Sequence, residues 1–188
     1  MRIIAGKHRG RKLFVPKGLH TRPTTDMLRE AVFNILGSTM VDRRVLDLFA
    51  GTGALGLEAM SRGAREAVFV DKRNTCLVTI NRNIQTLGLT GQCRVLKIDL
   101  ARSLGRLKNE IDPFDLIFMD PPYAVDLVEK TLTRLFDSRL AGAGAVAVAE
   151  HSSKLNLTGS VENWRLLETR KYGHSALSFF AFTDIEAE

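Results

Sequence analysis

Asp120-Pro121-Pro122-Tyr123 follows directly on the apolar run Phe114-Asp115-Leu116-Ile117-Phe118-Met119. A carboxylate, two residues of fixed φ without an N–H, and an aromatic ring at the carboxyl end of a buried strand make a rigid clamp for a planar amine. A second constellation lies upstream. Gly51-Thr52-Gly53-Ala54-Leu55-Gly56 is a G-x-G-x-x-G run after another apolar stretch, where glycines permit a tight turn and a close approach of backbone to ligand. Further along, Asp71 ends the next apolar stretch, where such folds place an acid that accepts hydrogen bonds from ribose hydroxyls. Taken alone, glycine loop and acid suit a dinucleotide as well as an adenosyl cofactor.

Asp99 closes a third stretch, Val95-Leu96-Lys97-Ile98-Asp99, so Asp47, Asp71, Asp99 and Asp120 are all expected at one edge of a parallel sheet. Ligands of open α/β sheets bind outside the carboxyl ends of the strands. A pyrophosphate is repelled by so many carboxylates, whereas a sulfonium and an ammonium are attracted, which favours S-adenosylmethionine over NAD. Singly, each acid could instead cap a helix. His8, His20, His151 and His174 show no metal-ligand spacing, and no metal is expected.

The elements that must position these residues follow from periodicity. From Val45 onward, short apolar runs alternate with amphipathic stretches, the signature of βαβ units and a parallel sheet buried on both faces. Strands are expected at 45–49, 67–71, 93–98, 114–119 and 143–149, and helices at 54–61, 74–87, 101–108 and 125–136. Residues 164–170 and 176–182 have no room for a helix between them and read as an antiparallel hairpin closing the sheet. Trp164, Phe179, Phe180 and Phe182 belong to that hairpin and the core, and Asp184, Glu186 and Glu188 to a frayed tail. At the other end, Arg2–Val15 reads as a small basic β-hairpin, followed by the breakers Pro16 and Pro23. Thr25 or Asp26 then caps a helix running to Gly37, with Leu28, Ala31, Val32, Ile35 and Leu36 on one face.

The chain of 188 residues, 45% hydrophobic and 26% charged, is the size of one globular domain. Cys76 and Cys93 form neither a CxxC nor a disulfide framework, which points to a reducing, cytoplasmic setting. Charge interrupts the N-terminal apolar residues too early for a signal peptide, and no run of apolar residues is long enough to span a bilayer. The net charge of +6 is concentrated: residues 1–29 hold eight Lys and Arg against Asp26 alone. Such a cluster steers polyanions, and Lys and Arg contacts to phosphate supply most sequence-independent affinity for nucleic acid. The bland reading is a solvated arm that aids solubility.

Asp47-Leu48-Phe49-Ala50-Gly51-Thr52-Gly53-Ala54-Leu55-Gly56 resembles the cofactor motif of class I methyltransferases, and Asp120-Pro121-Pro122-Tyr123 resembles the catalytic motif of enzymes that methylate exocyclic base amines. With Arg2-Ile3-Ile4-Ala5-Gly6, Arg9-Gly10-Arg11, Arg22-Pro23-Thr24-Thr25-Asp26 and Arg29-Glu30-Ala31-Val32-Phe33-Asn34, nearly the whole chain is similar to the RsmD-type enzymes, which methylate the N2 amine of one guanine in bacterial 16S ribosomal RNA. The resemblance implies a Rossmann-like fold over residues 41–188, a mostly parallel seven-stranded sheet with a C-terminal antiparallel hairpin, and a basic extension over 1–40. It implies that Gly51, Gly53 and Asp47 lie by the methionine part of S-adenosylmethionine, that Asp71 binds the ribose and Asp99 the adenine amine, and that Thr24 and Thr25 close over the methionine end. Asp120, Pro121, Pro122 and Tyr123 would hold the flipped base, and Arg2, Lys7, Arg9, Arg11, Lys12 and Arg22 would contact RNA. The implied partner is 16S rRNA or an assembling small subunit, and the protein a cytoplasmic monomer. The clamp alone would also serve a DNA adenine or cytosine amine or a protein glutamine, and a non-catalytic RNA-binding assembly factor is the reading from another class.

Overall fold

The computed structural model describes residues 1–16, 26–100, 104, 107, 112–121, 127–157 and 159–183. The chain forms two compact units, Met1–Ile98 and Asp99–Glu188. The first holds helix α1 (Asp26–Leu36), strand β1 (Arg44–Leu48), α2 (Ala54–Ser61), β2 (Glu66–Asp71), α3 (Asn74–Leu87) and β3 (Cys93–Lys97). β2 lies between β1 and β3 and is parallel to both, with Asp47 opposite Phe69 and Asp71 opposite Lys97. Their mostly apolar sequences leave β1 and β2 buried on both faces, whereas β3, at the edge, is half exposed.

Apolar spacing of three and four residues gives α3 its inner face, Cys76, Ile80, Ile84 and Leu87, with Thr79 and Asn83 buried among them. Its end is set by Gly88 in the left-handed region, where the Leu89 N–H reaches back to the Ile84 carbonyl at 3.0 Å. Helix α1 departs from expectation. Arg29 and Phe33 are buried with Leu28, Val32 and Leu36, while Ala31 and Ile35 are only half-buried. Arg29 is fully buried, its Nη2 donating to the Arg2 carbonyl at 2.7 Å and to Asp26 Oδ1 at 2.8 Å. One cation of the basic cluster therefore belongs to the interior, although burial pulls its pKa down against the opposing pull of Asp26 and Glu58.

The second unit holds β4 (Phe114–Met119), α4 (Leu127–Asp137), β5 (Ala141–Ser152), β6 (Ser160–Val161), β7 (Trp164–Tyr172) and β8 (Ser175–Phe182). β4 and β5 are parallel; β8 then pairs antiparallel with β5, β7 with β8 and β6 with β7. β5 runs longer than its apolar core because pairing with β8 continues to Ser152 opposite Ser175. His151 in this extension is buried, with Nε2 2.7 Å from Ser178 Oγ. In β7 buried and exposed positions alternate at first, as in a strand covered on one face, and Trp164 is fully buried with its ring 4.9 Å from that of Phe182. The helix expected at 101–108 falls mostly outside the described residues, although Leu104 and Leu107 are buried. The chain has the expected α/β architecture, mostly parallel and ending in an antiparallel hairpin, with eight strands rather than seven. The additional strand is the two-residue β6, too short to be legible as an apolar run. No helix among the described residues is long and apolar enough to cross a membrane.

The N-terminal hairpin pairs antiparallel around Arg2 and Lys12, with the Ile3 N–H on the Arg11 carbonyl, the Gly10 N–H on the Ile3 carbonyl and the Leu13 N–H on the Met1 carbonyl, and a lone two-stranded hairpin is marginal in water. Its anchor is the end of α2. The buried Glu58 carboxylate accepts from the Ile4 N–H at 2.7 Å, the Ala5 N–H at 2.9 Å and Arg62 Nε at 2.8 Å. Ser61 Oγ donates to the Ala5 carbonyl and accepts from the His8 N–H, while the Lys7 N–H reaches the Ser61 carbonyl at 2.7 Å. Gly6 makes this approach possible, since a Cβ there would lie 1.9 Å from the Ser61 carbonyl oxygen. Gly10 has the same φ of +81° with no atom within 4 Å of a would-be Cβ, which gives an internal control. We expect Gly10→Ala to cost only the left-handed strain, about 1–2 kcal/mol, and Gly6→Ala to cost at least about 1 kcal/mol more by overpacking. Urea unfolding of the two variants measures the difference.

Candidate active site

The glycine loop carries strain before it carries glycine. Phe49, just past β1, has φ of 58°, a conformation that bulky residues adopt only when their surroundings impose it. The Ala50 N–H bonds the Val70 carbonyl of β2 at 3.0 Å, and the Gly53 N–H closes a turn onto the Ala50 carbonyl at 2.7 Å. Gly53 then caps α2 in the left-handed region with φ of 77°. The three glycines differ in what their missing Cβ spares. Beside Gly51 the space is open, with only the Phe49 carbonyl oxygen at 3.8 Å. At Gly53 a Cβ would press on Phe69 and Ile80, and at Gly56 it would lie 2.4 Å from the Phe69 ring. Gly51 therefore leaves open space beside the loop, while Gly53 and Gly56 let α2 approach β2 closely.

Two acids hold this turn in place. Asp47 is buried, and its Oδ2 accepts from the Gly56 N–H at 2.9 Å, satisfying one of the unpaired donors of the first turn of α2. Asp71 Oδ2 accepts from the Gly51 N–H at 3.0 Å, so loop and acid form one hydrogen-bonded unit. Asp71 Oδ1 accepts from Arg73 N at 2.9 Å and Nε at 3.2 Å, and Arg73 Nη2 lies 3.3 Å from Oδ2. Burial pushes the Asp71 carboxyl upward, but the Arg73 side chain, the Arg73 and Gly51 N–H groups and the Arg73 charge together hold it below the ordinary carboxylate range. An open loop beside an acid kept ionised fits the ribose and methionine end of an adenosyl cofactor. The side chain of Asp71 is nevertheless only 3% exposed, and it is ion-paired with Arg73.

In the second unit, Asp120 and Pro121 immediately follow β4, Asp120 half-buried and Pro121 buried. Proline after Asp120 confines that residue to extended backbone, which continues the line of the strand. Asp99 is half-buried two residues past the end of β3. Pro122 and Tyr123 lie outside the described residues, as do Arg22, Thr24 and Thr25. Of the expected RNA contacts, Arg2, Lys7, Arg9, Arg11 and Lys12 are all exposed on the hairpin. Lys7 and Arg11 also depress the pKa of His8, after burial as the main cause.

Sequence reasoning missed Arg73 and Asn83. Asn83 is 1% exposed; its Nδ2 donates to the Thr52 carbonyl of the glycine loop at 3.0 Å and to the Phe14 carbonyl at 3.1 Å, and its Oδ1 accepts from the Phe14 N–H at 2.7 Å. The available signal was its position, three residues after Ile80 and four before Leu87, on the apolar face of α3.

The family described as "Conserved hypothetical protein 95" matches residues 1–181. This chain belongs to that family, the RsmD type. It is similar to the Escherichia coli K12 protein named ribosomal RNA small subunit methyltransferase D, 36% identical over 96% of this chain and 89% of its own. The Haemophilus influenzae protein of the same name is 34% identical over 92% of this chain and 89% of its own. A solved Escherichia coli chain, yhhF, superposes with a TM-score of 0.84 at 36% identity, covering 97% of this chain and 98% of that one. More distantly, an RNA methyltransferase from Salinibacter ruber, solved with S-adenosyl-L-homocysteine, shares the fold with a TM-score of 0.66 at 12% identity, over 88% of this chain and 97% of that one.

The depressed Asp71 pKa has a measurable consequence for the fold of this RsmD-type chain. Because the folded value lies below the unfolded one, near 3.9, the carboxylate stabilises the protein above that pH, and the contribution is lost as pH falls through the folded value. Asp71→Asn is expected to lower stability near pH 7 and to flatten the acid limb below about pH 4. Urea midpoints between pH 3 and 7 for both proteins test this, and parallel curves would contradict it.

Proposed function

We propose that the protein is a cytoplasmic, monomeric S-adenosylmethionine-dependent methyltransferase that modifies the exocyclic N2 amine of a guanine in 16S ribosomal RNA, free or in an assembling small subunit. The observation that carries this reading is Asp120-Pro121 at the carboxyl end of β4, in a chain whose relatives at 36% identity are named for small-subunit ribosomal RNA methylation. Bound S-adenosylmethionine would supply an electrophilic methyl group on a sulfonium.

A guanine N2 amine is a poor nucleophile because its lone pair is delocalised into the ring. In our reading the Asp120 carboxylate accepts one N–H of the amine and the Pro121 carbonyl the other. Both contacts orient the nitrogen, favour its rehybridisation and disperse the positive charge that grows on it. Pro121 and Pro122 fix the backbone between carboxylate and ring, and Tyr123 stacks on a base turned out of its helix. Asp71 accepts from the ribose hydroxyls, which would replace the Nε and Nη2 contacts of Arg73. Gly51, with Gly53 and Asp47, frames the methionine part, Asp99 takes the adenine amine, and Thr24 and Thr25 close over the methionine end. Residues 1–40 serve as the RNA-contacting extension of a methyltransferase domain at 41–188, with Arg2, Lys7, Arg9, Arg11, Lys12 and Arg22 on phosphates.

Transfer of labelled methyl groups to small subunits from cells lacking the protein, compared with naked rRNA and with DNA, tests the proposal; methylation of DNA but not of subunits or rRNA would refute it. Asp120→Ala is expected to lower turnover by at least about a hundredfold while cofactor affinity stays within a few-fold. Undiminished turnover would remove Asp120 from the chemistry. Charge reversal at Arg9, Arg11 and Lys12 together is expected to weaken RNA binding and to flatten its dependence on salt, each lost phosphate contact reducing the slope by about 1. A titration between 50 and 200 mM salt reads both.

A further inference from the structure

Asn83 has a place in the first unit that the proposed chemistry does not use. It sits on α3 between two segments of different assigned purpose, the glycine loop and the strand of the basic hairpin. Its amide orientation is fixed by its neighbours: the Phe14 N–H can only donate, and the Thr52 and Phe14 carbonyls can only accept. Both Nδ2 hydrogens and an Oδ1 lone pair are thereby used, in a site that is 1% exposed. Around it run further ties between the same parts. Thr52 Oγ1 lies 3.3 Å from Met1 Sδ, Arg11 Nη2 donates to the Thr86 carbonyl at 3.1 Å, and the Arg82 guanidinium stacks 3.5 Å from the centre of the Phe14 ring.

The end of the hairpin strand, Phe14 and Val15, is the weak partner in this arrangement. Cross-strand bonds join Ile3 to Arg11 and Gly10 and Leu13 to Met1, but the backbone of Phe14 is bound by Asn83, and Phe14 and Val15 are exposed to 37% and 47%. Such segments open at low free energy. When the strand leaves, Asn83 loses two of its three bonds and its hold on the Thr52 carbonyl is no longer oriented. When the strand is held, the amide is locked and the glycine loop with it. A ligand that orders either segment therefore lowers the ordering cost of the other.

We propose that Asn83 is a positioning residue that couples the cofactor loop to the RNA-contacting arm, so that occupation of one stabilises the other. The inference rests on the proposed function for the identities of the two ligands, and its test separates the two. The probe is S-adenosylhomocysteine, and the readout is amide hydrogen exchange in the full chain. Saturating probe is expected to slow exchange over residues 12–16 by about fivefold or more in the native protein, and a 20-nucleotide oligouridine to slow it likewise over residues 50–53. Asn83→Leu and Asn83→Asp, neither of which can donate to the two carbonyls, should lose this remote protection while the probe still protects the loop itself. Arg11→Ala, which cuts a different tie to α3, should keep the effect of the probe on residues 12–16. A merely structural Asn83 would shift basal exchange without removing the response to ligand. Should both Asn83 variants fail to fold, the native protein still decides: probe binding that leaves residues 12–16 unchanged overturns the coupling alone. Failure of the probe to bind at all, read by calorimetry, overturns the cofactor assignment and the coupling with it.

Discussion

The carboxylate of Glu58 has no access to solvent, and a buried anion is tolerated only where donors replace the water it has lost. Here the donors are the backbone of Ile4 and Ala5 and the guanidinium of Arg62. The hairpin is thus one of the ligands of an interior charge, and its detachment would leave that charge undersolvated. Because α2 is buried along its whole length, what fixes its C-terminal end also fixes its N-terminal end, where Asp47 and the glycine loop meet it. The first unit therefore distributes its constraints along one short helix, with a carboxylate at each end binding backbone N–H groups.

Much of this was legible in the sequence. Continuous apolar runs gave β1, β2 and β4 to within a residue or two, and α2 and α3 fell on their expected bounds, because parallel strands buried on both faces and amphipathic helices leave the clearest patterns. The family resemblance agrees with the relatives found along nearly the whole chain. What escaped notice shares a physical cause. Arg29 is charged yet buried, Glu58 likewise, and Asn83 is polar on an apolar helix face. Patterning assigns such residues to the surface, since only tertiary partners make their burial affordable. The strand β6 failed for another reason: two residues have no periodicity to read.

The glycine motif shows how one sequence pattern can conceal several jobs. Gly51 leaves space, whereas Gly53 and Gly56 remove bulk between α2 and β2. Asp47 and Asp71, superficially a pair of strand-end acids, also part company: one is consumed by the first turn of α2, the other is shared between the loop and Arg73. Spacing located these residues, and their partners distinguish them: Asp47 holds the first turn of α2, whereas Asp71 ties the loop to Arg73.

Trp164, the chain's single tryptophan, lies wholly within the C-terminal hairpin, buried against Phe182. Its indole emission is therefore a private optical channel for the second unit. Among the described residues helix lies chiefly in α1, α2 and α3 of the first, which circular dichroism reads. Melting curves recorded by the two signals will superimpose only if the halves unfold as one cooperative body, so the placement of one ring makes the thermodynamic independence of the two halves visible without a label.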